Sequence, residues 1–125
     1  MQMKPFRTLP AYMSSTYTTN ILNPGTTTGG VGCTPAPYDK LIILIQSIHI
    51  NNRTAGIVTA RLFIGATGAN AGGTDLFYDK AVGSNEQYIW YPGSNLLLTT
   101  ADFLVGGASA SSSLTITIMG QIGIG

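Results

Sequence analysis

The side chains that could carry out chemistry in this chain are one histidine, one cysteine and five carboxylates among 125 residues. A single histidine excludes a metal site built from several imidazoles, and no Gly-x-Ser-x-Gly elbow accompanies it to supply a serine nucleophile. His49 falls on the polar side of a predicted strand. A hydrogen-bonded structural histidine is the ordinary role at such a position, so the sequence predicts that the protein is not an enzyme.

The carboxylates stand mostly beside predicted turns, where their oxygens accept hydrogen bonds from backbone amides. They are Asp39, Asp75, Asp79, Glu86 and Asp102. A pair of them acting as the acid and base of a glycosidase is one alternative, and a calcium site is another, although no calcium-loop spacing is present. We therefore expect no catalytic residue, no cofactor and no metal ion.

Two other short patterns could indicate a site. Gly65–Thr74 is rich in glycine, but no Gly-Lys-Ser/Thr ends it and no helix follows, which favours a hairpin-type surface loop over a phosphate-binding loop. Asn52-Arg53-Thr54 fits a glycosylation sequon, which we interpret as incidental because no secretion signal is recognisable. Cys33, the single cysteine, excludes an internal disulfide and is typical of a small buried side chain.

Charge is scarce in this sequence. Charged residues make up 9% of the chain and the formal net charge is +1, against roughly 25% charged residues in ordinary soluble domains. Such a chain has no electrostatic footprint for nucleic acid, and no apolar run reaches the roughly 20 residues of a membrane helix. Either hydroxyl-rich loops solvate a neutral domain, or much of its surface contacts other proteins.

The element that must organise the fold is Leu41–Asn51, the most apolar stretch of the chain. Its first half, Leu41–Ile45, is apolar at every position and predicts a strand buried on both faces, whereas the second half alternates and predicts burial on one face. Ile57–Ile64 predicts a second strand, and the short turn between the two predicts an antiparallel hairpin. Leu114–Ile124 alternates most regularly, with a bulge or bend expected at Gly120.

About eight short strands and no helical period predict one all-β domain, an antiparallel β-sandwich of jelly-roll type. We assign residues 14–125 to the sandwich and residues 1–13 to an extended N-terminal arm, in which Pro5 and Pro10 interrupt regular structure. The arm is either a disordered terminus or an apolar segment that docks on a neighbouring subunit. The aromatic run Tyr88–Tyr91 is either core and rim packing, an interface anchor or a sugar platform.

The order of the strand motifs resembles a group of small β-sandwich virion proteins of tailed bacteriophages, over roughly residues 14 to 122. The motifs that carry the resemblance are Ser47–Asn52, Val58–Gly65, Gly72–Phe77, Tyr88–Trp90, Asp102–Leu104 and Leu114–Gly120. Members of this group decorate the head, form head fibres or associate with the tail. The N-terminal arm and the Asn20–Gly32 loop depart from the pattern, which leaves the position in the virion open.

The resemblance implies a structural protein of the virion, in first place a capsid decoration protein that binds the shell. We expect a homo-oligomer, with a trimer favoured, that contacts itself and the major capsid protein but neither nucleic acid nor membrane. The expected contact residues are Phe6, Leu9, Tyr12, Tyr88, Trp90 and Tyr91. The alternative is a tail or fibre component whose aromatic platform at Tyr88, Trp90 and Tyr91 binds host surface glycan.

Overall fold

The computed structural model describes residues 2–26, 30–32, 41–93 and 95–124, so the predictions for Cys33 and Asp39 lie outside the described residues. The described residues contain a 3₁₀ turn at Pro24–Thr26 and ten strands. The strands are β1 (Gln2–Arg7), β2 (Ala11–Tyr12), β3 (Thr19–Leu22), β4 (Leu41–Asn52), β5 (Val58–Gly65), β6 (Asp75–Val82), β7 (Gln87–Trp90), β8 (Leu96–Leu98), β9 (Phe103–Ala108) and β10 (Leu114–Ile124).

The strands form two antiparallel sheets wound as a jelly roll. Sheet A has the order β1-β10-β4-β7, with β2 also pairing with β10 and β8 with β4, while sheet B has the order β3-β9-β5-β6. Counting β2 and β8 as continuations of β1 and β7 leaves eight main strands. Their order is first–last–third–sixth in one sheet and second–seventh–fourth–fifth in the other, the double Greek key of a jelly roll. The predicted fold class is confirmed.

The predicted hairpin between β4 and β5 is wrong. β4 pairs with β10, β7 and β8 in sheet A, whereas β5 pairs with β6 and β9 in sheet B. The connection between them crosses from one sheet to the other. Alternation of apolar side chains identifies the buried face of each strand but not its neighbour in the sheet. Here β10 pairs with one edge of β4, and β7 and β8 pair with the other.

Asn52, which is 1% exposed, holds this crossing in place. Its side-chain nitrogen donates to the carbonyl oxygens of Gly56 at 2.8 Å and Val82 at 2.9 Å. Its Oδ1 accepts from the backbone N–H of Thr54 at 2.9 Å and from the Thr54 hydroxyl at 2.7 Å. Every polar group of this amide is engaged, so the sequon residue has a structural role in the folded protein.

The core lies between the two sheets and is filled by the inward faces of the long strands. Alternation in β10 identified its share correctly, because Leu114, Ile116, Ile118 and Ile122 are all at most 4% exposed. Full burial of one such side chain is worth about 1.5–3 kcal/mol. The sandwich is therefore stabilised mainly by packing of aliphatic side chains between the sheets. The outward side chains are not needed for this packing.

A bulge keeps β4 and β10 in register over their whole length. The pairing shifts between Met119 and Gly120, which leaves Gln46 on β4 without an opposite residue. Gly120 faces the neighbouring backbone so closely that a Cβ there would overlap the carbonyl oxygen of Leu44. The bend expected at Gly120 is confirmed, and its cause is this close approach of two backbones.

Residues 2–7 are extended, as predicted, but they are an integral strand rather than a projecting arm. All six residues of β1 pair with β10 of the same chain. Phe6 and Met13 are 3% and 2% exposed and belong to the core. The boundary placed at residue 13 is corrected accordingly. Pro5 is tolerated because β1 is an edge strand, where a missing backbone donor costs least.

Candidate functional site

The outward side chains of sheet A form rows that run across its strands. Ile48 and Ile118 lie opposite each other and are buried, so the residues next to them along each strand point away from the core. Pairing then places the outward residues in line. The rows are Met3–Gly123–Ile42, Pro5–Gln121–Leu44–Leu97, Arg7–Met119–Ser47, Thr117–His49–Ile89 and Tyr12–Thr115–Asn51–Gln87.

The first two rows are dominated by apolar side chains, and Met119 adds one more in the third row, between Arg7 and Ser47. We call these apolar residues the apolar patch. Its members are Met3, Pro5, Ile42, Leu44, Leu97 and Met119. Leu97 is 47% exposed, and Ile42 and Leu44 are half-buried. Two rows about 7 Å apart on four strands about 4.8 Å apart, with Met119 beside them, give a footprint of ~300 Å². Contiguous apolar surface of this size often marks an interaction site.

The apolar patch also explains a difference between the sequence and the structure. The apolar run at the start of β4 predicts burial on both faces, yet only Leu41, Ile43 and Ile45 are fully buried. The alternate residues Ile42 and Leu44 retain access to solvent. Docking of another protein on the apolar patch would complete the burial that the sequence of β4 indicates.

At the other end of sheet A the outer face is polar and concave, and we call this surface the polar groove. It consists of two depressions that meet at Asn51 and Arg53. The first, of about 390 Å³, is lined by Tyr12, Asn51, Arg53, Thr54, Ser112, Ser113 and Thr115. The second, of about 270 Å³, is lined by Asn51, Asn52, Arg53, Asn85, Glu86 and Gln87.

The expected contact residues near the N-terminus have different environments. Phe6 is corrected from an interface residue to a core residue, because β1 folds onto its own chain and turns this ring inward. Leu9 and Tyr12 are 59% and 66% exposed. Tyr12 stands on the outer face of sheet A opposite Thr115, at the wall of the polar groove, so its ring is accessible to a ligand.

The aromatic run at β7 does not form an open platform. Tyr88 and Trp90 lie opposite Ile50 and Ile48 and face inward. Both make edge-to-face contacts with Phe77 of sheet B, with ring centroids 5.9 and 5.6 Å apart. Burial raises the pKa of the Tyr88 hydroxyl above its ordinary value. Tyr88 and Trp90 therefore close the edge of the sandwich, and the prediction that they form a sugar platform is wrong.

Tyr91, the next residue, is 67% exposed and remains available for a contact. It lies just past the end of β7, outside both depressions of the polar groove. An exposed tyrosine at this position is compatible with the predicted contact role, which stays a prediction.

The sequence analysis did not predict a cluster around Arg61 on the outer face of sheet B. The Arg61 guanidinium lies 4.1 Å from the ring centroid of Tyr17 and 4.0 Å from that of Tyr78. Its Nε donates to Asp79 at 2.7 Å, and this hydrogen bond is the main cause that raises the pKa of Arg61. Asp79 adopts a left-handed backbone with φ of 52° at a bulge in β6, which aims its carboxylate at Arg61.

The residues that could have supported catalysis are dispersed in the structure. His49 lies outward between Thr117 and Ile89 on sheet A, while Asp75 and Asp102 accept hydrogen bonds from nearby backbone amides, as predicted. Within the described residues no group of three histidine, cysteine or acidic side chains comes together as metal ligands. The glycine-rich stretch connects β5 to β6 as a hairpin loop, which confirms that prediction.

Comparison with family models, with curated proteins and with solved structures finds no match to this chain. In the part of the chain that the structure describes, no helix is long and apolar enough to cross a membrane.

Proposed function

We propose that this protein is a structural component of a bacteriophage virion that decorates the capsid and binds the shell through protein–protein contacts. The observation that carries the proposal is the apolar patch, an aliphatic surface on a chain in which charged residues are only 9%. The motif order described above supports the same assignment. The jelly roll, a fold common in viral capsid domains, supports it by analogy.

The size of the apolar patch indicates how the protein would bind. A stable interface buries about 800 Å² on each partner, more than twice the ~300 Å² footprint of the patch. One copy docking through the patch alone would therefore bind weakly. Repetition in a symmetric oligomer or over a shell multiplies such weak contacts by avidity, which fits the expectation of a trimer.

Leu97 is the position for a direct test because, at 47%, it is the one large hydrophobic side chain of the apolar patch that is exposed. A charge there removes apolar contact without entering the core. The wild-type protein is expected to sediment as a species of about three times the 13.1 kDa chain mass. Leu97→Asp is expected to keep this mass, because the patch contacts the shell and not the other subunits, and to reduce the number of copies on virions, counted by mass spectrometry of purified particles.

Ile57→Asp is the matched control, since Ile57 is 72% exposed and lies in the connection between β4 and β5 rather than on the patch. This variant should keep wild-type mass and copy number. A wild-type protein that sediments as a monomer and is absent from heads, located with antibody in electron micrographs, would contradict the proposal. Labelling of tails instead would favour the tail or fibre alternative.

A further inference from the structure

The polar groove contains side chains whose hydrogen-bonding groups are not used by the fold. The row Tyr12–Thr115–Asn51–Gln87 crosses four strands, a span of ~14 Å at 4.8 Å per strand. The row presents one aromatic ring, one aliphatic hydroxyl and two amides in that order. None of these four side chains hydrogen-bonds to another residue that the structure describes, so all of them can meet a ligand.

Arg53 lies where the two depressions meet and lines both of them. It is exposed, and it makes neither an ion pair nor a hydrogen bond with any described residue. Among the described residues that line the depression with Tyr12, Arg53 is the only charged one, whereas the second depression also holds Glu86. The Tyr12 side of the groove is therefore electropositive and suits a carboxylate, to which an arginine can donate two parallel hydrogen bonds.

The groove fits a sugar better than a peptide. A peptide is recognised through apolar pockets for its side chains or by adding a strand to a free sheet edge, whereas this row lies on the face of paired strands, in depressions whose described lining is polar apart from the Tyr12 ring. A sugar ring presents an apolar face and a rim of hydroxyls. The Tyr12 ring, 66% exposed, can stack against such a face while amide and hydroxyl groups bond the rim.

Both walls of the groove also carry residues in an unusual backbone conformation. Ser112 and Asn85 have φ of 50° and 56°, in the left-handed region that glycine adopts at lower cost. Ser112 lines the first depression and Asn85 the second. Each thus keeps a polar side chain at the groove where glycine would relieve the backbone, and such outliers cluster at ligand sites.

We propose that the polar groove binds an oligosaccharide bearing a carboxylate, with one sugar ring stacked on Tyr12 and its carboxylate held by Arg53. Neutral sugar units would continue into the second depression. There the Glu86 carboxylate would accept hydrogen bonds from sugar hydroxyls, and the Gln87 amide would both donate and accept them. This binding activity goes beyond decoration of a capsid. It does not require the apolar patch, which lies at the other end of sheet A.

The test uses the full-length protein and four probes, namely tetragalacturonate, a hyaluronan tetrasaccharide and sialyllactose as acidic ligands, with chitotetraose as the neutral one. Titration calorimetry and saturation-transfer NMR measure binding at low salt. We expect at least one acidic probe to bind, and to bind at least ~10-fold more tightly than chitotetraose, equivalent to about 1.4 kcal/mol. Tyr12→Ala and Arg53→Ala should each weaken that binding by ~10-fold or more.

The chain offers a matched control for each variant. Tyr91→Ala removes an equally exposed tyrosine outside the groove, and Arg7→Ala removes an exposed arginine near the apolar patch. Both should bind the acidic probe like the wild type, and circular dichroism should show that all four variants are folded. The proposal is overturned if none of the three acidic probes binds, or if the control variants lose as much affinity as Tyr12→Ala and Arg53→Ala. Equal binding of neutral and acidic probes overturns the role assigned to Arg53.

Discussion

Replacing Asn52 by aspartate tests how the chain crosses between its sheets. The change is nearly isosteric, yet it places an oxygen where the amide nitrogen now donates to two carbonyl oxygens at 2.8 and 2.9 Å. Two hydrogen bonds are lost, and the two acceptors, of which the Val82 carbonyl is the buried one, then face a carboxylate. The new side chain can recover one bond by binding a proton, which raises its pKa above the ordinary ~3.9 of aspartate.

The magnitude follows from these contacts. One lost hydrogen bond is worth about 0.5–1.5 kcal/mol, and one unsatisfied buried carbonyl adds about 1–3 kcal/mol. Protonating a buried carboxylate at neutral pH adds to this, so Asn52→Asp should lower the free energy of unfolding by about 3–5 kcal/mol. For a chain of this length the midpoint of thermal unfolding should fall by ~10 °C or more.

The assay is urea unfolding followed by circular dichroism at neutral pH and near pH 4. Because the folded pKa of the new carboxyl is raised, its penalty is smallest below the unfolded pKa of ~3.9 and grows as pH rises through the folded value. Asn51→Asp makes the same charge change at the exposed neighbouring residue and should cost at most ~0.5 kcal/mol. Equal stability of the two variants would refute the argument.

Three further variants test other features of the fold. Gly120→Ala should destabilise the protein by more than ~2 kcal/mol because its Cβ would overlap backbone, whereas Gly93→Ala, which has open space around its Cβ, should be nearly neutral in the same urea assay. Tyr88→Phe should reduce the loss of stability that the wild type shows as pH rises above the ordinary tyrosine pKa of 10.0, because the raised pKa of Tyr88 stabilises the fold only while the hydroxyl is protonated. A double-mutant cycle of Arg61→Lys and Asp79→Asn should give a favourable coupling that shrinks with added salt, and a coupling independent of salt would contradict a solvent-exposed ion pair.

The fold class was predictable because the apolar periods are strong. The apolar run of β4 and the alternation in β10 identified the two longest strands of sheet A. Alternation also gave the inward faces of β10 and of the second half of β4. The pairing of strands was less predictable, since β4 and β5 are close in sequence but belong to different sheets. Residues 2–7 were misassigned because prolines indicate irregular chain, although an edge strand tolerates them.

The surface sites were predictable only where one strand contains the whole signal. Three consecutive leucines, Leu96–Leu98, cannot all face inward from a strand. Either Leu97 or its two neighbours must face outward, so at least one outward leucine could have been inferred. The direction of Trp90 could not, because it depends on its register with β4. The polar groove combines Tyr12, Asn51 and Thr115 from three separate strands, and no local pattern connects them.

The pairing of β1 with β10 also constrains the order in which the molecule can form. Residue 2 lies opposite residue 124, so the contacts that complete sheet A join segments separated by almost the entire chain. Closing so long a loop carries a large entropic cost before any contact repays it, and domains of this kind fold slowly. During synthesis, β1 and one edge of β4 stay unpaired until the ribosome has released β10. Chaperones that cover these edges in this interval would improve the yield of native protein.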